Sequence, residues 1–137
     1  MAAIQAQTWN EENRDRERAV SGARSLPNAI VWTLQVLAAA MFLFAGASKL
    51  FGAPMMVQMF GVIGIGQWFR YLTGTIEVVS AGLLLVPSLA RFGALALAVT
   101  MVGAIITHLF IVGGNPAVPI VLLAATATIA WARRRSR

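Results

Sequence analysis

The chain has 137 residues, of which 58% are hydrophobic and 12% charged, and a soluble domain of this size would have trouble keeping so much apolar side chain off its surface. Lys and Arg number 11 against 5 acids, a net charge of +6, but the basic residues flank apolar runs instead of forming a patch, which argues against nucleic acid and for contact with anionic lipid. There is no cysteine, which excludes a thiol or disulfide relay within the chain, and one His with so few acids makes a poor zinc set, so no metal is expected.

Residues 1–28 read as a polar, basic cytoplasmic tail. The stretch from Asn10 to Arg18 is mixed in charge and too poor in apolar residues to form a core, so the tail is expected to be mobile or briefly helical. Asn28, just after Pro27, is a candidate cap for the first apolar helix. The run 29–50 carries no charge before Lys49 and matches the roughly 20 residues needed to cross about 30 Å of hydrocarbon. It begins too late, behind four acids, and is too long for a standard cleaved signal peptide.

Gly52, Ala53 and Pro54 break this helix. The apolar, Gly-rich segment from Met55 to Trp68 is too short for an ordinary crossing and is expected to be an interfacial or shallow re-entrant helix. Its GVIGIG run, Gly61 to Gly66, lacks the strand and the Lys-Ser/Thr ending of a phosphate loop. Further spans are expected at about 67–86, stopped by Pro87, at 89–112, ended by Gly113 and Gly114, and at 116–131, opened by Asn115 and Pro116. Residues 133–137 form a basic C-terminus. The expected fold is thus all-α: an integral membrane four-helix bundle over 29–132 with a short interfacial or re-entrant segment after its first helix.

Four crossings put both termini on one side. That side holds nine basic residues (Arg14, Arg16, Arg18, Arg24, Arg91, Arg133, Arg134, Arg135, Arg137) and the other two (Lys49, Arg70), so the positive-inside rule places both termini in the cytoplasm. Trp32 and Trp131 then fall at the inner rim, and Trp68 and Tyr71 at the outer one, as an aromatic belt requires.

Glu77 is the most informative residue. It lies inside an apolar helix, where a lipid-facing carboxylate costs several kcal/mol, so it is expected to face the bundle. Gly74, Glu77 and Ala81 share one face, with Arg70 a heptad earlier, and the small residues let a neighbouring helix approach. Gln35, Ala38, Phe42, Ala45 and Lys49 form a matching face on the first span. His108, with Thr107 beside it, lies near the same end of the third span, on a face with Met101 and Ala104. Antiparallel packing is expected to gather Lys49, Arg70, Glu77 and His108 at one depth. Such a group can be a network that fixes helix register, a site of proton or quinone chemistry, or a binding or passage site for a small molecule. Met55, Met56 and Met59 can furnish an adaptable wall for a lipid-like ligand or simply pack.

The sequences FLFAGASKL (Phe42 to Leu50), WFRYLTGTIEVVSAGLLLVP (Trp68 to Pro87) and RFGALALAVTMVGAIITHL (Arg91 to Leu109) resemble the DoxX and DoxX-like family of small bacterial membrane proteins over roughly Val31 to Arg133. The family's FAGxxKL pattern falls on Phe44, Ala45, Gly46, Lys49 and Leu50, and its glycine and glutamate pattern on Gly74 and Glu77, with Arg70 preceding. The resemblance implies a four-helix bundle of the bacterial cytoplasmic (inner) membrane. Some members are similar to a subunit of a thiosulfate:quinone oxidoreductase or join membrane oxidoreductase complexes. Two functions therefore stand open. In the first, the chain is an accessory subunit of a quinone-linked redox system, with Glu77 and His108 as the groups managing protons and Lys49, Arg70, Gly74 and Thr107 binding the ligand; quinone is the cofactor, and a redox subunit the partner. In the second, it is a non-enzymatic module, of one copy or a homo-oligomer, that binds or transports a small amphipathic molecule. Whether it is an enzyme is left open by these residues.

Overall fold

The computed structural model describes the backbone of residues 1–24 and 26–134 and the side chains of residues 1–20 and 26–134. Arg135, Arg137 and the Arg24 side chain, counted above for topology, lie outside the described residues. Those residues form six α-helices and no strands: α1 Ala2–Arg24, α2 Asn28–Leu50, α3 Pro54–Ile63, α4 Gln67–Leu84, α5 Ala90–Thr107 and α6 Ala117–Arg133, with a π turn, His108–Val112, continuing α5.

In place of a mobile or briefly helical tail, α1 is one helix of 23 residues. Its Ala, Gln, Glu and Arg are good helix formers, and Arg16 reaches back one turn to Glu12 at 2.6 Å. It lacks an apolar face, is exposed at every described residue but the half-buried Asn13 and has no substantial packing partner among the other elements.

Pro27 precedes α2, and Asn28 is the first helical residue; its side chain caps nothing. It accepts instead from Arg133, because its place at the helix end faces the last turn of α6. Phe51 and Gly52 close α2, the latter at φ +72°, a left-handed conformation open to glycine. The connector forms a helix of 10 residues, α3, about 15 Å long at roughly 1.5 Å per residue, ended by Gly64 at φ +80°. It packs on α4, where Phe60 meets Phe69 at 5.9 Å between ring centroids, and against the π turn.

The helices α2, α4, α5 and α6 share one core. Ala38, Phe42, Leu84, Leu97, Met101 and Ile129 are among its buried side chains, and all four helices contribute. The principal contacts run α2 to α4, α4 to α5 and α5 to α6, with α6 closing back on α2. Small residues set the spacing. A Cβ on Gly46 would come within 2.7 Å of Val78 and 2.9 Å of the Gly74 carbonyl, and one on Gly93 within 2.7 Å of the Ser80 carbonyl. Hence α2 and α5 lie almost backbone to backbone on α4.

The outside of this assembly is apolar. Phe44, Val79, Phe92, Val99, Phe110 and Val121 are each more than half exposed, distributed over all four helices and the π turn. Among the described residues two helices are long and apolar enough to cross a membrane, α2 and the continuous helix Ala90–Val112.

Candidate functional site

The close approach of α2 and α4 at Gly46 and Gly74 carries Lys49 to Glu77. Lys49 Nζ donates to Glu77 Oε2 at 2.9 Å, with 15% and 3% of the two side chains exposed. The expected inward face of α4 is present: Arg70, Gly74, Glu77, Ser80, Ala81 and Leu84 are its buried residues. An ion pair removed from water must recover the desolvation of both charges through geometry and further hydrogen bonds, so its first effect is to fix the register of two helices.

Arg70, 4% exposed, completes the cluster without touching the carboxylate. Its Nη1 donates to the Lys49 backbone carbonyl, and its Nε donates to Gln67 Oε1 at 2.8 Å. The guanidinium carbon lies 4.3 Å from the Tyr71 ring centroid, a cation–π contact, and the Gly52 turn passes beside it. One side chain thus adds a second donor to a terminal carbonyl of α2 whose backbone partner, the Gly52 N–H, lies at 3.4 Å. The cluster holds two cations and one carboxylate, and only Lys49 is paired with it. The cluster keeps an excess positive charge, suited to a carbonyl oxygen or an anion.

The other expected members stand apart. His108 Nδ1 is hydrogen-bonded to the Ala104 carbonyl of its own helix at 2.8 Å, and Thr107 Oγ1 donates to the Gly103 carbonyl at 2.8 Å. Among the described residues no hydrogen bond or ion pair links either to Lys49, Arg70 or Glu77. Gly74 enters the site as a helix contact: a Cβ there would lie 3.0 Å from both the Gly46 carbonyl and Lys49 Cβ. No group of three or more metal-ligating side chains occurs among the described residues.

A second polar centre escaped the sequence. Gln35, fully buried, donates Nε2 to the Leu84 carbonyl at 2.5 Å and accepts Arg133 Nε on Oε1 at 2.6 Å. Arg133 also donates Nη1 to Asn28 Oδ1 at 3.2 Å and lies 5.4 Å from the Trp32 ring centroid. Gln35 precedes Lys49 by 14 residues, about 21 Å along α2 at roughly 1.5 Å per residue. The two centres therefore sit near opposite ends of the four packed helices. The available signal was a Gln in the middle of an apolar run, which needs partners for its amide.

Helices without strands among the described residues, an apolar outside, two helices suited to crossing a membrane and a buried ion pair fit a helical protein of membrane type. The model of the DoxX-like family matches residues 33–132, and the chain belongs to that family. No curated protein and no solved structure is similar enough to match it.

Proposed function

We propose that α2, α4, Ala90–Val112 and α6 each cross the bacterial cytoplasmic membrane, with both termini inside, and that the Lys49, Arg70 and Glu77 cluster receives the polar head of a small amphipathic molecule near the outer face. The span of α4, 18 residues, and of α6, 17 residues, gives about 27 and 26 Å at roughly 1.5 Å per residue, close to the hydrocarbon thickness. The polar residues that lower the hydropathy of α4 include Arg70 and Glu77, and both are turned inward.

The head group is that of a quinone, and the chain acts as an accessory subunit of a quinone-linked redox system. The observation that carries this reading is the excess cation beside a partly open Lys49: an ammonium and a guanidinium can hold a quinone carbonyl, while Glu77 orients the ammonium. A bound quinone supplies the electron-accepting chemistry, and the protein supplies position and charge.

The competing reading, a non-enzymatic module that binds or transports an amphipathic molecule, draws support from a different observation. His108 is bound to its own helical turn and has no link to Glu77, so the described contacts supply no proton path between the two titratable groups. Purification in mild detergent, extraction of bound small molecules with mass analysis, and a quinone-reduction assay with native partners separate the two. Copurified quinone whose reduction falls in Lys49→Met supports the redox reading; an amphipathic molecule bound with no electron transfer supports the second.

A further inference from the structure

Arg133 is only 9% exposed, yet neither ion pair among the described residues includes it. The chain's five acids are Glu11, Glu12, Asp15 and Glu17 in α1 and Glu77, which is held by Lys49 near the other end of α2. Its Nε and Nη1 go to two neutral amide oxygens, of Gln35 and Asn28. Nη2 is buried and has no hydrogen-bond partner among the described residues. Among the described residues this guanidinium, held out of water, has one donor idle and no counter-charge: it lacks an anion there and it lacks an acceptor. One oxyanion supplies both.

The surroundings select the anion. Trp32 covers the guanidinium, and Trp131 lies nearby on α6 with Arg134 5.2 Å from its ring centroid, so two indoles and a second cation mark this end of the helices. Indoles of this kind sit at headgroup level, and basic sites between helix ends on the cytoplasmic side are where acidic headgroups are held. Arg133 and Trp32 both fall outside the 33–132 stretch that the family model matches. We propose that Arg133 Nη2, with Arg134 assisting, holds a phosphate oxygen of an anionic phospholipid headgroup between the inner ends of α2 and α6, Trp32 yielding to admit it. The occupied clamp ties a lipid to the side chain that already joins α6 to α2 and, through Gln35, to the last turn of α4.

This site rests on the membrane reading given above, so residence in the membrane is established first by resistance of the full chain to alkaline-carbonate extraction. Delipidated full-length protein in mild detergent is then titrated with phosphatidylglycerol, phosphatidylcholine and inorganic phosphate. Native mass spectrometry counts bound lipid, and isotope-labelled arginine side chains report on the guanidinium by NMR. Phosphatidylglycerol is expected to remain bound and to shift the Arg133 resonances, with Arg133→Gln weakening retention about tenfold and exposed Arg134→Gln by about twofold. Should Arg133→Gln fail to fold, the wild-type resonances decide the matter alone. Equal retention in Arg133→Gln, unmoved Arg133 resonances, phosphatidylcholine bound as well as phosphatidylglycerol, or a shift from inorganic phosphate without one from the lipid each overturns the clamp. A carbonate-extractable protein overturns the membrane reading instead.

Discussion

At the scale of single residues, Glu77 and Arg133 show how differently a buried charge can be read. A carboxylate in the middle of an apolar run has one tolerable orientation, so the inward face of Glu77 was legible, and its partner had to come from the few cations at the same depth. Lys49 satisfies that condition at 2.9 Å. Replacing Glu77 by Ala leaves the ammonium without its partner and should cost about 3 kcal/mol, the scale for breaking an ion pair removed from water. The volume-matched double replacement Lys49→Met with Glu77→Leu removes both charges and should cost less than either single change. Melting curves in one detergent check the order; a double variant less stable than both singles would contradict it. Arg133 was opaque for a physical reason. An Arg at the end of an apolar helix reads as a side chain reaching for water, and its acceptor on Gln35 lies 98 residues away. For His108 the spacing gave a depth but named no partner, and its ring is hydrogen-bonded to the carbonyl one turn back, that of Ala104.

Helices were legible where hydropathy and breakers agree. The bounds of α2, α3 and α6 lie within a few residues of Pro27, Pro54 and Pro116, and Gly113 and Gly114 end the helix that begins at Ala90. The full length of α1 was missed because no apolar face announces it; helix propensity and local pairs alone sustain it. The π turn was missed as well, since one extra residue in a helical turn leaves apolar content unchanged. Helix contacts give the sharpest test at this scale. Gly46→Ala places a methyl 2.7 Å from Val78 Cγ2 and 2.9 Å from the Gly74 carbonyl, forcing α2 from α4, and should destabilise by about 2 kcal/mol. Gly82→Ala, on α4, meets nothing within 4 Å and should be neutral or gain up to about 1 kcal/mol in helix propensity. Gly46→Ala should also weaken the Lys49 to Glu77 pair, because the same crossing positions both. Equal melting temperatures for the two variants would remove Gly46 from the interface.

The whole molecule combines an apolar outer surface over α2, α4, α5 and α6 with a polar helix, α1, that has no substantial packing partner among the described elements. In water this leaves Phe44, Val99 and Phe110 exposed at 76%, 73% and 80%, large apolar side chains without cover. In a bilayer the same side chains meet lipid, and α1 stays outside it. Four crossings then place Asn10 of α1 and Ser88 of the α4 to α5 turn on one side, and Gln58 of α3 on the other; all three are exposed. On the proposed orientation the first side is cytoplasmic: Arg14, Arg16, Arg18 and Arg91 accompany Asn10 and Ser88, whereas Lys49 and Arg70, the cations nearest Gln58 in the chain, are held by Glu77, Gln67 and a backbone carbonyl. The chain lacks cysteine, so single replacements Asn10→Cys, Ser88→Cys and Gln58→Cys report without background. A membrane-impermeant maleimide applied to intact cells should label Gln58→Cys alone, and the other two only after the membrane is permeabilised. Labelling of Ser88→Cys in intact cells would reverse the orientation or show that α4 does not cross. Labelling of Asn10→Cys with Ser88→Cys protected would mean an odd number of crossings between them, and α3, at 10 residues, would need a partner segment to complete one.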